Sequence, residues 1–242
     1  MHKLLTRVLG DPVGHLSCRS LHALQGYLVG YDEGCRRWGL QRPPQPDPKV
    51  VLPWLRSQVS VTSEHAGRLN AFNWLNLDPW AHFLACDDRE AFDVYFDLLR
   101  QMPPTPLLEF GPSAPSELSL IQVLEALKAR HAMYFGNGFT LLHVWAFCSG
   151  FRWAERDSNI IGSLAEPLFT SFPTWLEARY PFSRGVPWHR LFTALALGHP
   201  SGAFDSFFEH LQLHLSGLGP GTEDPTMKAI IENIRAHVVP AG

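Results

Sequence analysis

Two histidines stand four residues apart in a segment with helical periodicity. His210 and His214 have the spacing that lets two imidazoles on one helix face bind the same metal ion. Such a site needs at least a third ligand, and no HExxH motif or acidic partner at a known spacing accompanies the pair. We therefore interpret the two histidines as a surface or interfacial pair, and we expect no metal and no cofactor.

A second pair, His143 and Cys148, has the residue types of a nucleophilic site. The two residues are five positions apart on one apolar segment, so a helix would place them on different faces. The sequence Gly136-Asn137-Gly138 lacks the lysine or third glycine that phosphate-binding loops use. We expect a buried, hydrogen-bonded histidine at position 143, no catalytic residues, and a protein that is not an enzyme.

The acidic run at positions 87–90 is the third candidate. Asp87, Asp88 and Glu90, followed by Asp93 and Asp97, could provide paired carboxylates for acid–base chemistry. Acidic residues in the first turn of a helix also stabilise its dipole and cap its amides, which is the favoured interpretation. A binding surface is the remaining alternative.

The elements that position these residues repeat along the chain. Residues 91–97 and 203–209 are closely similar, and Trp54 and Trp80 have counterparts in Trp175 and Trp188. The earliest match, at an offset of 120 positions, pairs Ser20, Leu21, Leu24, Tyr27, Gly30 and Tyr31 with Thr140, Leu141, Val144, Phe147, Gly150 and Phe151. Matches in the same order predict a duplicated unit.

Helical periodicity dominates the sequence. It predicts an all-α protein built from two tandem pseudo-repeat helical lobes that pack together, with little or no sheet. The predicted boundaries are lobe 1 at 1–103, a Pro-rich connector at 104–116, lobe 2 at 117–216, and a tail with a C-terminal helix at 217–242. The glycines at 26, 30 and 150 interrupt predicted helices, which indicates close approach of another helix.

Finer expectations follow from the same periodicity. Shorter helices are predicted at 48–58, 72–85, 117–130, 187–197 and 226–238, and an extended segment at 107–110. Asp88 and Ser201 are the predicted N-caps. Two apolar helix stripes are predicted to be core, together with the four repeated tryptophans: Phe92, Tyr95, Phe96 and Leu99, and Phe204, Phe207, Phe208, Leu211 and Leu215.

Composition excludes several functional classes. The net charge is −3, and neither half of the chain carries the basic stripe expected of a nucleic-acid-binding protein. The longest apolar stretch, residues 141–151, is about half of a membrane span. The N-terminus lacks the apolar middle region of a secretory signal. The prediction is a cytoplasmic protein with four reduced cysteines and no membrane or nucleic-acid partner.

Residues 130–136 (Arg-His-Ala-Met-Tyr-Phe-Gly), followed by Thr140, Val144, Phe147 and Gly150-Phe151, carry a resemblance to a known group. The pattern resembles small bacterial immunity proteins of polymorphic-toxin and secretion-system effector loci, although His131 stands where proline is usual. The resemblance covers most of residues 130–211 and, more weakly, 7–99. It implies a cytosolic helical protein that binds and blocks a cognate toxin.

The leading functional hypothesis is therefore an immunity protein that occludes a toxin effector. An all-helical enzyme whose site is not visible in sequence, or a structural adaptor subunit, are the alternatives. A single partner needs its contacts once, whereas a duplicated scaffold needs its structural residues twice. Copy-specific charged segments are thus the predicted partner interface: Asp87, Asp88 and Glu90, and Glu155, Arg156 and Asp157.

Overall fold

The computed structural model describes residues 3–59, 81, 85–112, 115, 118–130 and 139–221. Its helices are α1 (Lys3–Gly10), α2 (Pro12–Leu16), α3 (Leu21–Arg37), α4 (Pro48–Val59), α5 (Asp88–Gln101), α6 (Leu120–Ala129), α7 (Leu141–Asp157), α8 (Ser171–Arg179), α9 (Trp188–Leu195) and α10 (Pro200–Leu215), with 3-10 turns at Glu166–Phe169 and Pro181–Ser183. Strands β1 (Gln45–Pro46) and β2 (Leu107–Leu108) pair antiparallel, with Gln45 opposite Leu108. Helix thus dominates the described residues, and the all-α prediction is confirmed.

Contacts within the chain divide it into two compact units, Met1–Glu166 and Pro167–Gly242. This division differs from the predicted boundary at the connector 104–116. The reason is that α7, which belongs to the second predicted lobe, packs along α3, which belongs to the first. The tandem duplication itself stays a prediction.

Side-chain caps set the starts of several helices. Ser20 precedes α3 and accepts a hydrogen bond from the Ala23 N–H at 3.0 Å. The predicted N-caps at Asp88 and Ser201 are wrong: Asp87 caps α5, and α10 begins at Pro200 after His199. Proline at the first helical position needs no hydrogen-bond partner for its nitrogen, which explains the earlier start of α10.

The core of the first unit combines α1, α3 and α5. The predicted stripe of Phe92, Tyr95, Phe96 and Leu99 is buried, as expected. The Phe92 and Phe96 rings lie 4.9 Å apart, and Leu5 and Tyr27 belong to the same cluster. Burial of such rings is the main favourable contribution to folding.

The core of the second unit is built mainly from aromatic rings. Trp188 stacks on Phe207 at 4.5 Å, and Phe172 and Phe192 pack around them. The predicted second stripe is buried except for Leu215, which is 54 % exposed because it is the last residue of α10. Trp188 is therefore core, as predicted; Trp54 and Trp175 are partly buried.

Some expectations fall outside the described residues, namely Trp80, the helix predicted at 226–238 and most of the helix predicted at 72–85. The helices predicted at 48–58, 117–130 and 187–197 are found as α4, α6 and α9, and the predicted extended segment contains β2. Among the described helices, none has the length and apolar character needed to cross a membrane.

Candidate partner-binding surface

A close pair of parallel helices, α3 and α7, supports both predicted interface segments. A Cβ on Gly30 would lie 1.9 Å from the Phe147 carbonyl oxygen, and a Cβ on Gly150 would lie 2.0 Å from the Tyr27 carbonyl oxygen. Phe147 follows Tyr27 by 120 positions, as Gly150 follows Gly30, so the two contacts are reciprocal. The glycines at these crossings do permit close approach, as the sequence predicted.

The parallel orientation places the two predicted segments at opposite ends of the helix pair. Gly26 lies against His143 near the helix starts, whereas Gly34 lies against Ala154 near the helix ends. Each helix has 17 residues, which corresponds to about 25 Å. Residues 87–90 therefore lie at what we call the N-terminal end of the pair, and residues 155–157 at the C-terminal end.

Asp88 is a structural residue of the N-terminal end. Its Oδ1 accepts hydrogen bonds from the Leu21 and His22 amides at 3.1 Å each and pairs with His22 Nδ1 at 2.7 Å. Burial opposes ionisation of this carboxyl, but hydrogen bonds from His22 and Ser20 outweigh that effect and lower its pKa. Asp88 thus caps α3 although it belongs to α5.

The neighbouring acidic residues cap their own helix. Asp87 Oδ1 accepts the Glu90 amide at 2.7 Å, and Glu90 Oε2 accepts the Cys86 amide at 2.6 Å. The two bonds satisfy the Glu90 amide in the first turn of α5 and the Cys86 amide just before the helix. Both side chains are exposed. The favoured interpretation of the acidic run, that it caps a helix, is confirmed.

His143 packs against His22, the residue that pairs with Asp88. Its ring is 5.2 Å from the His22 ring, and its Nδ1 accepts the Thr140 amide at 3.2 Å. Burial lowers the pKa of His143 to about 3, which keeps the imidazole neutral near pH 7. The expected buried, hydrogen-bonded histidine is therefore confirmed.

Glu155 is the central residue of the C-terminal end. Its side chain is 1 % exposed, so the expected surface position of this residue is wrong. The carboxylate accepts hydrogen bonds from Trp38 Nε1 at 3.2 Å, from the amides of Leu164 and Ala165 at 2.9 and 3.3 Å, and from the Ser163 hydroxyl. A buried carboxylate needs this many donors to offset its desolvation.

The segment 158–166, which we call the clamped loop, is held by that carboxylate and by a second anchor. Glu166 forms a bidentate pair with Arg152 at 2.5 Å, and Arg156 contacts the same carboxylate at 3.2 Å. Ile161, which precedes both anchors and follows the Ile160 amide bonded to the Glu155 carbonyl at 3.0 Å, is 98 % exposed. The loop therefore presents an isoleucine to solvent from a well-bonded base.

A shallow cleft of about 330 Å³ opens beside this loop. Lys3, Leu4, Arg7, Tyr31 and Asp157 line it. The Asp157 carboxylate accepts hydrogen bonds from Arg7 at 2.8 Å and from the Tyr31 hydroxyl at 2.9 Å. Asp157 is thus an internal partner, and it precedes the clamped loop directly in the chain.

The histidine pair lies in the second unit, on α10. His210 is buried, with Nε2 hydrogen-bonded to the Tyr180 hydroxyl at 2.8 Å and Nδ1 to the Ser206 carbonyl at 2.7 Å. His214 Nε2 contacts the Ser171 hydroxyl at 3.1 Å. His210 therefore anchors the aromatic core and is not a surface residue. Across the part of the chain that the structure describes, no cluster of three His, Cys, Asp or Glu residues is arranged to hold a metal ion.

Sequence reasoning found the neighbourhood of the clamped loop but not its exposed residue. Ile161 was missed because it has no counterpart in the repeat pattern and no charge. In the sequence, the only sign of this loop was an apolar pair, Ile160-Ile161, between Asn159 and Gly162, two residue types that favour turns. In the structure, Asn159 and Gly162 both adopt positive φ. No protein-family model, curated protein or solved structure matches this chain.

Proposed function

We propose that this protein is an immunity protein that binds a cognate bacterial toxin effector and blocks its action. It would act in the cytoplasm, without a cofactor and without chemistry of its own. The class of partner comes from the resemblance of residues 130–151 to immunity proteins of effector loci. The partner is a protein and not a nucleic acid, in keeping with the net charge of −3.

The observation that carries a binding function is the clamped loop. The buried Glu155 carboxylate accepts hydrogen bonds from two amides and a hydroxyl of this surface loop, so it holds the loop in one conformation. A loop that is already ordered binds a partner with a smaller entropy loss. The exposed isoleucine that this loop carries is the type of side chain that binding surfaces bury.

A protection assay tests the proposal. A bacterial host expresses the product of the reading frame adjacent to this gene, which the proposal identifies as the effector, alone or together with the chain, and growth is measured. We expect the effector to stop growth and the chain to restore it, and we expect the two purified proteins to form a stable complex. Growth arrest that is equal with and without the chain would contradict the proposal.

A change of effector supplies the specificity control. Immunity proteins are specific because their contacts fit one partner and reject others. An effector from an unrelated locus should therefore kill the host whether or not the chain is present. Protection against both effectors would indicate a general stress response and would also contradict the proposal.

A further inference from the structure

We infer that the C-terminal end of the helix pair is the toxin-binding surface, with Ile161 entering an apolar pocket on the effector and effector carboxylates facing the cationic groups beside it. This inference rests on the proposed function and identifies the surface that performs it. The partner is a protein whose contact face combines an apolar pocket with an acidic border.

The first step of the argument is the exposure of Ile161. Single exposed apolar residues are common, but this one is 98 % exposed at a position whose flanks are fixed. Before Ile161, the amides of Asn159 and Ile160 donate to the Arg156 and Glu155 carbonyls of α7 at 3.1 and 3.0 Å; after it, the Leu164 and Ala165 amides donate to the Glu155 carboxylate. Because the backbone on both sides of this side chain is already ordered, its entry into a pocket involves a smaller loss of conformational entropy.

The second step is the charge around the loop. The cleft and the loop base contain the cations Lys3, Arg7, Arg152 and Arg156 and the carboxylates Glu155, Asp157 and Glu166. The carboxylates are occupied internally: Glu155 by loop donors, Asp157 by Arg7 and Tyr31, and Glu166 by two arginines. The four cations exceed the three carboxylates by one positive charge, and the exposed Lys3 in the cleft fits a partner that supplies its own carboxylate.

The third step is the distance between the apolar and the cationic parts. Asp157 lines the cleft and Ile161 follows it by four positions, so their Cα atoms are at most about 14 Å apart. A standard protein interface covers roughly 800 Å² on each partner, which easily includes both features. One effector face can therefore contact the isoleucine and the cleft together.

The test measures the affinity of the purified product of the adjacent reading frame for the full chain and for three variants. Ile161→Asp should weaken binding about 30-fold or more, as loss of an interface anchor does. Ile161→Leu should retain binding. Val13→Asp is the matched control, because Val13 is 64 % exposed on α2 of the same unit, and it should bind like the wild type. All three variants should melt within a few degrees of the wild type, since the replaced side chains are exposed.

The variant Lys3→Glu tests the acidic border of the effector. It should slow the association of the chain with the effector several-fold at low salt and by less at high salt. Equal binding by the wild type and Ile161→Asp would overturn this surface while leaving the proposed function intact. A faster association of Lys3→Glu would overturn the acidic border. A wild type that neither binds nor protects would overturn the proposed function and this surface with it.

Discussion

The two ends of the α3–α7 helix pair use acidic residues in opposite ways. At the N-terminal end, Asp87, Asp88 and Glu90 cap helices and stay partly in solvent. At the C-terminal end, Glu155 is buried, and the backbone that it binds belongs to a surface loop. The acidic residues of the first end cap helices, whereas Glu155 at the second end holds a surface loop in place.

This difference shows that charge in a sequence does not by itself mark a binding surface. Capping carboxylates are already bonded to amides, so a partner would have to compete with the fold for them. The clamped loop is bonded through its backbone, so its exposed side chain at Ile161 makes no such internal bond. Of the two predicted interface segments, residues 155–157 therefore support the contact surface that we propose, while the bonds of residues 87–90 mainly support the scaffold.

The largest expected effect follows from the helix crossing that supports both ends. Gly30→Ala and Gly150→Ala should each destabilise the protein by about 3 kcal/mol or more, because each new Cβ would meet a backbone carbonyl at about 2 Å. Urea unfolding followed by circular dichroism measures the change. Gly10→Ala is the control, since nothing lies within 4 Å of its Cβ position, and it should change stability little. A tolerated alanine at position 30 would mean that the helices are farther apart.

Removing the loop clamp should have the next largest effect. Glu155→Ala leaves the Trp38 indole and two loop amides without their acceptor, which should cost about 2 to 3 kcal/mol. The exposed Glu125 on α6 supplies the control, and its alanine variant should stay within about 0.5 kcal/mol of the wild type. Thermal melts of both variants measure the difference, and equal melting temperatures would show that the clamp contributes nothing.

The buried histidine at the N-terminal end should make stability depend on pH. The pKa of His143 is lowered to about 3 in the folded chain, against about 6.5 when unfolded, so its contribution is full above pH 6.5 and declines as the pH falls. Between pH 6.5 and 5 the expected loss is about 1.5 kcal/mol. The variant His143→Gln should reduce the slope of that part of the profile, and His189, whose pKa burial also lowers to about 3, should keep part of it. An unchanged slope in the variant would assign the titration to other groups.

Asp88 should contribute in a lower pH range and by a smaller amount. Its pKa is lowered by hydrogen bonds, so its stabilisation is full above the ordinary aspartate pKa of about 4 and is lost as the pH falls further. Asp88→Ala should cost about 1 kcal/mol at pH 7, the usual value for a helix cap. Asp97, which is exposed on the same helix, is the matched position, and its alanine variant should cost less than half of that. Charge reversal at Asp88 would therefore disturb the fold.

The sequence predicted those features that depend on local periodicity. The all-α class, the buried stripe around Phe96 and the close approach at Gly30 and Gly150 follow from apolar spacing and from missing side chains. The position of Glu155 did not follow, because a carboxylate near a helix end looks the same in sequence whether it faces solvent or a loop that returns to it. Its donors, Trp38 and residues 163–165, come from separate segments.

Hydrogen–deuterium exchange of the chain with and without its bound effector tests the central claim most directly. It reports both ends of the helix pair in a single experiment. We predict that the effector slows exchange mainly in residues 156–166 and leaves residues 85–93 close to their rates in the free protein. Protection concentrated in residues 85–93, with residues 156–166 unchanged, would contradict the account.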